Sequence, residues 1–171
     1  MYKAMLVLAG LLVSLTLISG CGYVFKSASV EHIDTIRIAP IEILDADFAY
    51  DNASKRPYDE VIREKLTKRF NQKWRDGNDA EFTMRIQDFD IREHSYGAQG
   101  EVEMVRMTLQ IEYKFFDRVR NNMIAQTNNH LQAHDFYIVP GRAEPMETIE
   151  EAKVHIVDEL VEDLYNQLAE R

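Results

Sequence analysis

Residues Val102 to Phe116 read Val-Glu-Met-Val-Arg-Met-Thr-Leu-Gln-Ile-Glu-Tyr-Lys-Phe-Phe. Val105, Met107, Leu109, Ile111, Tyr113 and Phe115 alternate with Met104, Arg106, Thr108, Gln110, Glu112 and Lys114. Side chains of a strand point by turns to its two faces, so this period predicts one long strand with a dry side and a wet side. A sheet with only one dry face needs a second layer to cover it, and the rest of the chain supplies that layer.

Upstream, Glu81 to Glu93 alternates with Phe82, Met84 and Ile86 on one side, then changes phase at Phe89 and Ile91. A change of phase within a strand predicts a bulge. Ser95 to Gly100, with two glycines, reads as the hairpin loop joining this strand to the next. Downstream, Asp117 to Asn122 reads as a second hairpin and Met123 to Val139 as the returning strand, on a weaker pattern, ended by Pro140-Gly141-Arg142. A short strand at Thr35 to Ile41, closed by Pro40, comes first. The polar, turn-prone stretch Asp45 to Arg56 reads as a loop.

Two segments have helical spacing. From Pro57 to about Arg75, Tyr58, Val61, Ile62, Leu66, Phe70 and Trp74 form one stripe; Pro57 suits the first helical position, and Asp76-Gly77-Asn78-Asp79 stops the helix. Near the end of the chain, Thr148 and Glu151 make a capping box. Ile149, Ala152, Ile156, Val157, Leu160, Val161, Leu164 and Leu168 then trace a second stripe. The order β-α-β-β-β-α predicts an α+β fold, a two-layer sandwich in which both helices cover one face of a four-stranded mixed sheet.

The first residues have a different character. A single cation, Lys3, precedes an apolar run from Ala4 to Ile18, and Ile18-Ser19-Gly20-Cys21 then follows the lipobox pattern, an aliphatic residue and two small ones before a cysteine. The expectation is a signal peptide over 1–20, cleaved before Cys21, which becomes the lipid-attachment residue. The lipobox resemblance implies diacylglycerol on the Cys21 sulfur and acylation of its new amine, three acyl chains where roughly two lipid signals hold a protein stably on a membrane. Residues 21–34 then read as a lipidated tether and 35–171 as a single domain. As the lone cysteine, Cys21 leaves no disulfide to stabilise the fold, so stability has to come from a core.

Charge narrows the partners. Removing Lys3 with the leader takes the formal charge from −9 to −10, which gives no electrostatic reason to bind nucleic acid or an anionic bilayer. Catalytic signatures are missing too. No nucleophile elbow, phosphate loop or dinucleotide fingerprint occurs, so the reading is of a protein that is not an enzyme and needs no cofactor. Of the five histidines, His130 and His134 are four apart, which on a strand separates them by about 13 Å, so no metal site is expected from them. Glu150-Glu151 and Glu159, Glu162 and Asp163 read as the solvated face of the last helix.

Several of these features in order resemble one family. The lipobox followed by Cys21-Gly22-Tyr23, the strand from Thr35, the helix from Pro57, the hairpin around Gly100, Arg106-Met107-Thr108-Leu109, and Phe136-Tyr137-Ile138-Val139 ahead of Glu150-Glu151-Ala152 are similar to the LPS-assembly lipoproteins of the LptE type. The resemblance implies a lipoprotein anchored on the periplasmic side of the outer membrane, with Gly22 compatible with that destination. It also implies a plug in the β-barrel partner LptD that assists delivery of lipopolysaccharide without covalent chemistry. The wet face of the long strand would meet the barrel. Family members also touch lipopolysaccharide through basic residues. Here the hairpin tip Ser95 to Gly100 carries no Lys or Arg, so the candidate lipopolysaccharide or barrel contacts are Arg92, Arg106, Lys114 and Arg142. Two other classes share the sequence features: a lipoprotein module activating a periplasmic peptidoglycan synthase, and an envelope enzyme, whose mark would be a deep pocket of convergent polar groups.

Overall fold

The computed structural model describes residues 30–52, 54–141 and 145–169. The cleavage site, Cys21 and Arg142 lie outside them.

The alternating stretch forms the centre of the molecule. Strands β1 (Thr35–Ile38), β2 (Glu42–Ile43), β3 (Tyr50–Asp51), β4 (Arg56–Pro57), β5 (Arg75–Asp76), β6 (Ala80–Tyr96), β7 (Val102–Asp117) and β8 (Asn122–Tyr137) are joined by helices α1 (Tyr58–Phe70) and α2 (Ile149–Ala169). The main sheet runs β5-β1-β6-β7-β8, with β2 also on β6. β1, β2 and β5 pair parallel, while β6, β7 and β8 form an antiparallel meander. The mixed sheet and two helices of the α+β expectation are therefore present. The four expected strands are β1, β6, β7 and β8, and the two-residue strands β2 and β5 extend the parallel edge.

One apolar cluster holds the layers together. Met107, Leu109, Ile111 and Phe115 of β7 and Phe82 and Ile86 of β6 meet Ile62, Leu66 and Phe70 of α1 and Ile156, Leu160 and Leu164 of α2, all fully buried. Phe70 meets Trp74 and Phe82 edge-on, with ring centroids 5.6 and 5.4 Å apart, and Trp74 meets Phe115 at 5.5 Å, separations at which aromatic pairs add to their burial. The expected bulge in β6 lies between Ile86 and Asp88. It restores Phe89 to the covered side, where its ring lies 4.9 Å from that of Phe48.

Several boundaries differ from the sequence reading: the first strand ends at Ile38 rather than Ile41, and the last runs Asn122–Tyr137 rather than to Val139. Pro57 is the residue before the first helical turn, with extended backbone (φ −60°, ψ 138°). α1 stops at Phe70 because the next residues turn, and the Arg75 amide then bonds the Asp34 carbonyl at 3.0 Å, drawing Arg75–Asp76 into the sheet as β5. Val30 and Ile33, read as tether, are buried in the core, so the chain enters the folded body five residues before β1. Within the segment read as loop, residues 46–48 form a 3-10 turn and β3 pairs β4.

The capping box is in place. The Glu151 amide donates to Thr148 Oγ1 at 3.2 Å and the Thr148 amide to Glu151 Oε2 at 2.8 Å. The stripe behind it is buried except for Ile149, and a cation takes up the space at that end: Lys153 is buried and its Nζ donates to the Asp47 carbonyl at 3.1 Å. Among the described residues, no helix is long and apolar enough to cross a membrane.

Candidate functional site

With the helices on one side, the opposite face of β6, β7 and β8 is left uncovered. Register places Arg85 across from Glu112, Asp88 from Gln110 and Arg92 from Arg106 on β6; on β8, Leu131 faces Gln110 and Asp135 faces Arg106. The face is polar along most of its length, and its side chains pair with one another. Glu42 accepts from Arg85 Nε at 2.7 Å, Arg85 lies 3.6 Å from Glu112, and Glu112 lies 3.0 Å from Lys114. Gln110 donates to Gln87 at 3.0 Å. Lys114 and Arg85 together hold the Glu112 carboxyl below its ordinary range.

Near the β6–β7 hairpin this face dips into a hollow of about 400 Å³ whose lining includes Asp88, Asp90, Arg92, Glu93, His94, Arg106 and Leu131. Arg106 is anchored there by a two-pronged bond to Asp135, Nε to Oδ1 at 2.7 Å and Nη2 to Oδ2 at 2.6 Å, with His94 Nε2 3.3 Å away. The Arg106 guanidinium keeps the Asp135 carboxyl below the usual carboxylate range. Arg92 is 80% exposed, its Nε 2.5 Å from Asp90. A larger hollow of about 630 Å³ lies along the outside of α1, with Arg56, Glu60 and Glu64 among its lining; Arg56 bonds Glu64 at 2.8 Å.

The structure thus brings Arg92 and Arg106 together at one end of the face and leaves Lys114 further along the same strand, each beside a carboxylate. Of those partners, sequence reasoning could not foresee Asp135, which lies 29 residues from Arg106 with no periodic pattern tying the two, whereas Asp90 and Glu112 stand two residues from Arg92 and Lys114 on the same strands.

The covered side of β8 differs from the sequence reading. His130, Gln132 and His134 point there, and carboxylates read as a solvated face meet them. His130 lies 3.1 Å from Asp163, Gln132 donates to Glu159 at 3.3 Å, and His134 Nδ1 lies 2.9 Å from Glu159. Glu162 pairs with Arg69 of α1 at 2.8 Å. His134 also meets Glu147, and its ring meets that of His155 edge-on with centroids 5.6 Å apart. Three residues from a strand, a link and a helix carry no common spacing that sequence alone could reveal.

No protein-family model matches the chain, and no curated protein matches it by sequence. Solved structures do match. The hypothetical protein CT253 from Chlamydia trachomatis superposes with a TM-score of 0.53 at 9% identity, covering 81% of this chain and 99% of that one. A minor lipoprotein from Acinetobacter baumannii matches with a TM-score of 0.44 at 12% identity, over 80% of this chain and 91% of that one. Rare lipoprotein B from Shewanella oneidensis matches with a TM-score of 0.36 at 17% identity, over 79% and 89%. Several structural neighbours are thus bacterial lipoproteins by name. At such identities the superposition with CT253 shows a shared fold and nothing finer.

Proposed function

We propose that this chain is a lipid-anchored outer-membrane lipoprotein of lipopolysaccharide assembly, facing the periplasm and seated as a plug in a β-barrel of the LptD type. The lipobox at Ile18 to Cys21 and the ordered resemblance to the LptE-type lipoproteins support this assignment. The observation that carries it is the open sheet face, whose polar side chains are already paired with one another. A barrel lumen is lined with polar groups and water, and a plug face that needs no new partner for each buried charge is suited to it. The role is non-covalent.

The anchor fits this placement. Eight residues lie between Cys21 and the buried Val30, so the folded body is at most nine residue steps, about 32 Å of chain, from the acylated cysteine. Lipopolysaccharide contact, in this reading, falls to Arg92 and Arg106 at the hollow, joined by Arg142 and Lys114. Guanidinium groups match phosphate oxygens in pairs, but here a phosphate has to compete with Asp90 and Asp135.

The test is recovery of the acylated protein from detergent-solubilised envelopes, with its companions identified by mass. A large β-barrel is expected. Recovery with a peptidoglycan synthase and no barrel would refute the assignment, and Cys21→Ser is expected to abolish both lipid labelling and barrel recovery from membranes.

A further inference from the structure

β8, the link after it and the second turn of α2 bring three ligand-type side chains to one spot. His134 Nε2 lies 3.1 Å from Glu147 Oε2, His155 Nδ1 lies 3.0 Å from the same oxygen, and the three atoms are all within 4.8 Å of one another. We propose that His134, Glu147 and His155 bind one divalent transition-metal ion, zinc in the first instance, which clamps the start of α2 to β8.

The donor set is the first argument. Two imidazoles and a carboxylate with a fourth position left open is a known zinc set, whereas calcium and magnesium favour oxygen throughout. Geometry is the second. At zinc bond lengths, tetrahedral ligand atoms stand about 3.3 Å apart. Two of the three separations already lie near that value. The third, between the two imidazoles, is no more than 4.8 Å, and His155, whose side chain is 53% exposed, has room to adjust to it.

The surroundings are the third argument, and they are specific. A metal-bound histidine usually gives its other ring nitrogen to a carboxylate, which orients the ring and raises its basicity. His134 does so here: Nδ1 lies 2.9 Å from Glu159 Oε1, and the other Glu159 oxygen accepts from Gln132. Glu147 is held from behind by its amide, which donates to the Tyr137 carbonyl at 2.9 Å. Glu151 is committed to the Thr148 cap, so it is not counted among the ligands, and a water would complete the set. The alternative is a hydrogen-bonded cluster whose members only neutralise one another. Such a cluster has no need of His155 for metal affinity.

The experiment uses the lipidated protein in detergent, stripped with a chelator and titrated with zinc by calorimetry and with cobalt by visible absorption. One ion per chain is expected, with a tetrahedral-type cobalt spectrum and a raised melting temperature. His155→Ala, which leaves the core intact, is expected to lose at least about tenfold in affinity and all of the zinc-induced rise. Glu159→Gln is expected to lose about 10- to 100-fold. Absence of binding by the unmodified protein, equal affinity in His155→Ala, or calcium binding as tightly as zinc would each overturn the proposal.

Discussion

Asp117 closes β7 and is almost wholly buried. Burial by itself would raise its pKa, but the Arg120 amide at 2.9 Å and His32 Nε2 at 2.6 Å hold the carboxyl below its ordinary value. The unfolded chain therefore takes up this proton at a higher pH than the folded one does. Stability from the group is complete above the unfolded carboxylate pKa and drains away as pH falls through the lower, folded value. Asp117→Asn is expected to lose roughly 1–3 kcal/mol at neutral pH and to flatten the acid limb of the stability curve, as measured by urea melts across pH. An acid limb as steep as that of the unmodified protein would place the pH dependence elsewhere. The same contact ties the entering chain at His32 to the far end of β7.

At the scale of elements, the strongest signals were those that one periodicity explains. β7 and both helix stripes were readable because burial follows spacing. The β6 bulge was readable because a phase change has one simple cause. β8 was weak for a physical reason: its covered side chains at 130, 132 and 134 are polar, and α2 satisfies them with Glu159 and Asp163. Periodicity counts apolar residues, so a half-buried polar pair between two elements is invisible to it. The ion pairs of the open face were hidden for the same reason. Two predictions test the readable parts. Leu109→Asp places a charge among Phe and Ile side chains and is expected to unfold the protein, while Thr108→Lys, facing Asp90 on the open side, is expected to change stability by no more than about 0.5 kcal/mol; circular-dichroism melts decide. Thr148→Ala removes a cap bonded in both directions and is expected to cost about 0.5–2 kcal/mol, read as a lower midpoint in urea with an unchanged slope.

For the whole molecule, the two ends of the long strands have different surroundings. His32, near the point where the chain enters the core, touches Asp117 at one end of β7. The β6–β7 hairpin tip is at the other end, about 50 Å away at the rise of a strand. In the proposed reading, a lipid on Cys21 would tether the molecule nearer the Asp117 end, and the hollow with Arg92 and Arg106 lies toward the other end. Two broad surfaces could then meet the proposed barrel: the open sheet face and the outer side of the helices. The helix side carries long charged side chains, with Arg56 paired to Glu64, Arg69 to Glu162 and Lys65 to Asp158. Holding those chains still costs rotamer freedom. The sheet face carries pairs of the same kind, Gln87–Gln110 and Arg106–Asp135, across neighbouring strands, and in the proposed function this face, not the helices, is seated in the barrel. Added bulk should therefore matter on one side only. Thr108→Trp combined with Gln110→Trp is expected to leave the far-ultraviolet spectrum and melting midpoint near those of the unmodified protein and to remove the barrel from the co-purified material. Arg63→Trp on the exposed side of α1 is expected to retain it. Equal retention by both variants, or loss with Arg63→Trp alone, would move the docking surface off the sheet.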